Sequence, residues 1–361
     1  MKYRIILCLI VLTLSSINAQ NLEKGKISGE AFIDYFYNIL RDSSNSKLPN
    51  TALKGVRDFN AFEFRRVTLN YDYNFSSIFQ SRVRFEANQS AATGSSVTPY
   101  IKDLSLKWKN IFDGSDLIFG IQPPPSFEVS ESYWQFRCLE KTIMDLRGIA
   151  SPRDMGIALK GKIDDEGILG YWIMLANGTG LGRETDKYKR AYAHINIAPM
   201  GKMNITIYSD YKFRDKITQT NTANQSVVSL NNDVITSVAF IGIKDGELSC
   251  GVEGLIQMTK NGLSTSSGNQ TTFSNLNGFG ISVFGNYEIL DDINFLVRFD
   301  YYDPNSKSDY DSRNFFILGL SFLAEKNIRI IPNVLLETYE KNKSNAFDPS
   351  VTGRLTVHFV Y

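Results

Sequence analysis

Phe79-Gln80-Ser81-Arg82-Val83-Arg84-Phe85-Glu86-Ala87-Asn88 is the stretch whose reading decides the fold. Its odd positions, Phe79, Ser81, Val83, Phe85 and Ala87, are apolar or small, and its even positions, Gln80, Arg82, Arg84, Glu86 and Asn88, are polar or charged. Successive side chains of a strand point to opposite faces, so the pattern predicts a ribbon with one apolar and one charged face. Val67, Leu69, Tyr71 and Tyr73 against Arg66, Thr68, Asn70 and Asp72 repeat it, as do Phe295, Val297, Phe299 and Tyr301 against Asn294, Arg298 and Asp300. A soluble sandwich makes such strands too, because an antiparallel sheet can keep one face in water. Strand length, strand number and the connections separate the two cases.

Working outward, strand-like segments fall at 27–37, 62–73, 78–88, 99–110, 116–122, 155–163, 168–177, 189–198, 203–213, 233–243, 248–259, 277–288, 293–302, 314–323, 328–339 and 350–361, sixteen in all. Most approach the ~9 to 11 residues that a tilted strand needs to cross a bilayer, beyond the ~5 to 6 usual in soluble sheets. The connections alternate. Short ones (74–77, 111–115, 164–167, 199–202, 244–247, 289–292, 324–327) follow the even-numbered segments, and mostly long polar ones (38–60, 123–154, 214–232, 260–276) follow the odd-numbered. Tight periplasmic turns on one rim and extracellular loops on the other give this alternation. The last segment, Ser350 to Tyr361, carries Val351, Leu355, Val357, Phe359 and Tyr361 on one face and ends on an aromatic residue. Closing it against the first segment would remove both sheet edges, which is how a sheet survives in hydrocarbon. The fold class is therefore all-β: a transmembrane antiparallel β-barrel of sixteen strands, with alternation weakest in the eighth, tenth and fifteenth and Pro332 removing a ladder donor in the last of these.

Two segments lie outside that reading. Lys2 and Arg4, the apolar run Ile5 to Leu14, and Ser15-Ser16-Ile17-Asn18-Ala19 have the three parts of a cleavable secretory signal, giving residues 1–19 as signal and 20–361 as barrel. Its removal leaves 37 basic against 38 acidic side chains, a balance that argues against a nucleic-acid binder. No later window holds 18 consecutive apolar residues, so no transmembrane helix is expected. Cys138 and Cys250 then remain, too few for a disulfide framework; they could pair with each other, and are otherwise read as buried or lipid-facing small apolar residues.

Several stretches resemble the phosphate-selective porin O and P family of Gram-negative outer membranes. They are Phe64-Arg65-Arg66-Val67-Thr68-Leu69, Phe79 to Glu86, Leu117-Ile118-Phe119-Gly120-Ile121-Gln122-Pro123-Pro124, Leu139-Glu140-Lys141, Ser151-Pro152-Arg153-Asp154-Met155-Gly156 and Asn177-Gly178-Thr179-Gly180, in order along nearly the whole mature chain. The resemblance implies a water-filled, trimeric sixteen-stranded porin of the outer membrane that passes small hydrophilic solutes. The named members prefer anions, but their phosphate selectivity does not carry over, because their arginine ladder and lysine cluster do not map onto this sequence residue by residue; anions such as phosphate are the solutes the likeness suggests.

The candidate pore residues follow from the predicted lumen faces. Arg66, Arg82, Arg84, Lys107, Lys109, Lys160 and Lys162 fall there, with Asp72, Glu86, Asp103 and Ser105 on the same faces. A ring of cations attracts anions, whereas cross-wall salt bridges would neutralise it. The long third loop, Pro123 to Asp154, contains a stretch from Ser132 to Arg147 that reads as a short helix with Ser132 near its N-cap. Folded into the lumen it would set Arg137, Lys141, Arg147 and Arg153 against Glu140, Asp145 and Asp154 across a constriction. The alternative is a rim loop whose ion pairs tie it to the wall.

No catalytic residue, metal ligand or cofactor is expected. His194 and His358 sit on lumen faces without a nucleophile signature, and no His, Cys or carboxylate cluster has ligand spacing. Gly178-Thr179-Gly180-Leu181-Gly182 lacks the Lys-Ser/Thr of a phosphate-cradling loop and reads as a flexible loop, and the Ser/Thr/Asn-rich stretches 43–46, 89–98, 218–229 and 264–272 as solvated loops. The expected activity is passive diffusion, with outer-membrane lipid, solute and sister subunits as partners. The competing expectation is a plugged structural or adhesive barrel that acts through its extracellular loops.

Overall fold

A computed structural model describes residues 24–42, 51–89, 92–93, 96–199, 201–221, 226–267, 270–341 and 347–361; the signal segment 1–19 and the serine-rich stretch 43–46 lie outside them. Sixteen strands form one closed antiparallel barrel. The first eight are β1 (Gly25–Leu40), β2 (Asn60–Asn74), β3 (Phe79–Ala87), β4 (Tyr100–Phe112), β5 (Ser115–Gln122), β6 (Asp154–Lys162), β7 (Leu169–Ala176) and β8 (Arg190–Ile197). The rest are β9 (Met203–Lys212), β10 (Val234–Asp245), β11 (Leu248–Ser267), β12 (Gln270–Leu290), β13 (Ile293–Asp303), β14 (Arg313–Glu325), β15 (Ile328–Tyr339) and β16 (Ser350–Val360). Each overlaps one of the sixteen segments expected from sequence. β1 pairs with β16 from Glu30↔Val360 to Leu40↔Val351, and Tyr361 extends the seam through Gly29 N donating to Tyr361 O at 2.7 Å.

Alternation makes these strands. Across the β2–β3–β4 ladder Val83 stands opposite Tyr71 and Leu104, all outward, while Arg82 stands opposite Asp72 and Ser105, all inward. Outward Phe119, Ile173, Ile207, Ile256, Val297 and Leu318 are exposed around the whole circumference. Apolar exposure on that scale is untenable in water and fits a barrel in lipid. The short connections show why they are tight: Gly114, Asp292 and Asn327 adopt φ of 70°, 68° and 70°, a left-handed conformation that Gly, Asp and Asn tolerate. A register shift adjoins each of them in β4, β12 or β14.

The long-loop rim departs from expectation in one respect. In the stretch read as a loop, residues 260–267 and 270–276 continue the β11–β12 hairpin after a register shift between Thr259 and Leu263, with Leu263↔Ser274 and Thr265↔Thr272. Ile217–Asn221 pairs with Ser226–Leu230, and Ala92–Thr93 with Ser96–Val97, inside other stretches expected to be loops. Thr and Ser runs are polar in composition, but β-branched Thr favours extended backbone, and the barrel hairpin below supplies the template. Pro332 interrupts the β14–β15 ladder as anticipated: pairing breaks between Gly319↔Asn333 and Phe322↔Ile330.

Candidate functional site

The third loop, 123–153, folds into the barrel. Its helix α1 (Glu128–Trp134) stops at Gln135, which takes φ 63°, and a second short helix, α2 (Ile143–Leu146), follows. Ser132 is therefore not the cap but lies within α1, its Oγ donating to Val129 O at 2.7 Å; Phe127 holds the cap position. Trp134, Leu139, Ile143 and Met144 are fully buried. Phe127, Ile143, Met144 and Ile149 meet Trp172, Met174, Tyr192, Tyr208, Val238 and Leu255 of the wall. Trp134, Phe136 and Leu139 meet Phe32, Phe240, Phe284, Leu296, Phe315 and Leu335. Each such side chain contributes about 1.5–3 kcal/mol of burial.

Wall arginines then fix the loop backbone. Arg298 Nη1 donates to Lys141 O and Arg354 Nη2 to Leu139 O, both at 2.5 Å, and Arg65 donates to Cys138 O. Arg147 pairs with Glu337 at 2.7 Å, both side chains at 0% exposure, and the same carboxylate accepts from Ala52 N and Leu53 N. Burial by itself would raise the Glu140 carboxyl, but Arg65 and Arg354 overrule it and hold it below the usual carboxylate range.

Two of the cavities the loop leaves free lie along β2–β6. A cavity of about 420 Å³ opens toward the long-loop end, lined by Arg65, Arg66, Lys102, Arg137 and Lys141 with Glu63, Glu86, Glu140 and Asp145. A second, of about 660 Å³, lies toward the short-turn end, lined by Arg82, Lys107, Lys160 and Lys162 with Asp72, Asp103, Asp116 and Glu128. Cations and carboxylates are nearly balanced in both.

The sequence candidates divide accordingly. Arg66 lines the upper cavity, 3.2 Å from Glu86 and 3.6 Å from Glu30. Arg82 makes a two-pronged bond to Asp72 at 2.7 and 2.9 Å, Lys107 lies 3.6 Å from Asp116, and Lys160 lies 3.7 Å from Glu128 with its ammonium 3.9 Å above the Trp172 ring. Arg84 donates to Asn70 Oδ1 at 2.6 Å and reaches Asp103 at 4.0 Å. Lys109 points inward but sits at the short-turn rim, 3.4 Å from Asn74 Oδ1, outside the lining of either cavity. The charges expected to oppose one another across a constriction do not assemble that way. Arg137 and Lys141 both turn to Asp145, within the loop itself, and Arg153 pairs with Asp103. Asp154 accepts from Tyr192 at 2.5 Å and Gly178 N at 2.8 Å, and Arg147, far from being pore-lining, is wholly buried. The loop approaches the wall so closely that each charge finds a partner at contact distance. His194 Nδ1 lies 3.1 Å from Pro125 O, beneath the loop.

Two lining residues escaped the alternation rule. Register shifts leave Arg65 unpaired between Phe64 and Arg66, and Lys102 unpaired between Ile101 and Asp103. Such β-bulges turn two consecutive side chains to the same face, so Arg65 joins Arg66, and Lys102 joins Asp103, inside the barrel. Lys102 then donates to Glu86 at 2.6 Å. Polar neighbours Arg65-Arg66 and Lys102-Asp103 amid otherwise strict alternation were the available signal. Cys138 and Cys250 are free thiols. Among the described residues no group of three His, Cys, Asp or Glu side chains could hold a metal ion.

No family model and no curated protein match the chain, so the likeness to the phosphate-selective porins O and P stays a resemblance. Solved structures do match. The outer-membrane channel DcaP of Acinetobacter baumannii superposes with a TM-score of 0.64 at 11% identity, over 93% of this chain and 97% of its own. The anion-selective porin from Comamonas acidovorans gives 0.61 at 10% identity, over 93% and 99%. OmpT of Vibrio cholerae, an outer membrane protein in its trimer form, gives 0.59 at 12% identity, over 93% and 99%. At such identities the likeness speaks to architecture, and the chain has the closed sixteen-stranded β-barrel fold of these outer-membrane proteins.

Proposed function

We propose that the protein is an outer-membrane porin of a Gram-negative bacterium, exported with residues 1–19 removed, through which small hydrophilic solutes diffuse passively. The observation that carries this reading is the pair of charged cavities stacked along β2–β6, one toward each mouth, inside a barrel whose exterior is apolar. The short turns then face the periplasm and the long loops the exterior, with lipid against the outward side chains. No chemical step and no cofactor enter the proposal. A homotrimer is the proposed assembly, supported by the trimer form of the Vibrio cholerae neighbour.

A mild anion preference, phosphate being one such anion, is the finer proposal. It is supported at the long-loop end, where five cations line the upper cavity against four carboxylates. A further cavity of about 310 Å³ there has Arg190, Lys212 and Arg214 and no carboxylate in its lining. Conductance and reversal potential in a planar bilayer under a KCl gradient test both levels. Ohmic steps with a reversal potential displaced toward chloride are expected, and ohmic steps displaced toward potassium would remove the anion preference. Silence from folded protein would favour a plugged barrel acting through its loops, a reading supported by the density with which the third loop fills half the lumen.

A further inference from the structure

The two cavities hold their charges differently. In the upper one a hydrogen bond closes the deepest pair, Lys102 to Glu86 at 2.6 Å with Arg66 3.2 Å from the same carboxylate, and the one open pair, Lys141 and Asp145 at 3.7 Å, lies within the loop itself. In the lower one two pairs stand open. Lys160 and Glu128 are 3.7 Å apart and Lys107 and Asp116 are 3.6 Å apart, attracted but beyond hydrogen-bond distance, so each keeps unused donors or acceptors. The lower cavity's side chains are reachable: Arg82, Lys160, Glu128, Lys107 and Asp116 are exposed by 51%, 50%, 38%, 36% and 32%. Wall acids Asp72 and Asp103, at 14% and 3%, are withdrawn into their arginines. Accessible negative charge therefore comes from Glu128 on the loop helix and Asp116 on β5, while Arg82 and Lys107 supply accessible positive charge from β3 and β4.

A lone anion or cation entering this space meets attraction on one side and repulsion on the other. A solute with both charges meets its complement at each end. We propose that the lower cavity is a transit subsite for zwitterions of amino-acid or dipeptide size, the ammonium meeting Glu128 and the carboxylate meeting Lys107 or Arg82. Its volume of about 660 Å³ leaves room for such a molecule and its water. The proposal rests on the channel reading above.

Liposome swelling with the folded mature protein tests it, using three solutes of similar size: zwitterionic diglycine, neutral N-acetylglycinamide and anionic N-acetylglycine. Diglycine is expected to enter about two- to fivefold faster than the neutral analogue, the worth of one exposed charge pair. Glu128→Gln and the double variant Arg82→Gln/Lys107→Gln should each bring that ratio to one; because it is taken within each preparation, folding yield cancels. Equal rates for diglycine and N-acetylglycinamide in a protein that conducts KCl would overturn the subsite and leave the channel standing. Absence of both KCl conductance and all swelling would overturn the channel reading and the subsite with it.

Discussion

The inner wall of this barrel has two arcs of opposite character. From β2 to β6 it is wet and charged, bordering both cavities; from β7 round to β16 it is largely dry, its inward Trp172, Tyr208, Phe240, Phe284, Phe315 and Leu335 covered by the third loop. The ion pairs Arg147–Glu337 and Arg298–Asp300 on the dry arc are sealed at 1% exposure or less, whereas Arg82–Asp72, Lys107–Asp116 and Lys160–Glu128 on the wet arc remain partly open. A barrel wall thus serves as pore lining where nothing covers it and as protein core where a loop does, and the same residue pair has different energetics on the two sides.

The comparison breaks most easily on the dry arc. Glu337→Ala strands Arg147 without its buried partner and removes the acceptor of Ala52 and Leu53 N–H groups; a loss of about 3–5 kcal/mol is expected in thermal or denaturant unfolding. Trp134→Ala should cost a similar ~3–5 kcal/mol and loosen the loop, so single-channel conductance should rise rather than fall. If it stays constant, the loop does not limit the pore.

On the outside, Leu318→Arg places a charge mid-strand between Val297 and Val334 and should cost about 2–4 kcal/mol, read as impaired assembly in lipid. Phe359→Asp is a weaker probe: Phe359 pairs with Ile328 beside the short Lys326–Asn327 turn, near the rim, where a charge costs only ~0–1 kcal/mol.

Acidification sharpens the comparison from the wet arc. Enclosure in the barrel pushes the Glu128 carboxyl above its ordinary range, against the pull of Lys160 and Arg153. It therefore takes up a proton before ordinary carboxylates as pH falls, leaving Lys160 uncompensated, and reversal potentials should move toward chloride. The Glu128→Gln variant should show the shifted value already at neutral pH. The smallest effect belongs to Asp72→Asn, which frees half-exposed Arg82: stability should change by less than about 1 kcal/mol, in contrast to Glu337→Ala. A large loss there would mean the wet arc is as tightly built as the dry one.

The contrast also explains what could be read from the sequence. Alternation is sharp in β3, where Arg82, Arg84 and Glu86 meet water or polar partners on β2 and β4, and blurred in β8, β10 and β15, where Tyr192, Val238, Phe240, Ile331 and Leu335 point inward against the loop. Those strands carry large apolar side chains on both faces because much of both faces is out of water. Pore candidates on β2–β4 and β6 were legible for the same reason that Arg147 was not: an arginine in a loop carries no local sign of whether its partner lies across the pore or 190 residues away in the wall.

The sequence by itself determined the strands, their number, the tight turns at Gly114, Asp292 and Asn327, and the division into an apolar exterior and a charged interior. All of these are set by period-two patterning and backbone preferences within a few neighbouring residues. Only the tertiary structure decided where the third loop lies, which half of the lumen it seals, and that bulges at Arg65 and Lys102 turn extra cations inward. Those outcomes depend on contacts between segments far apart in the chain, made possible only once the barrel has closed.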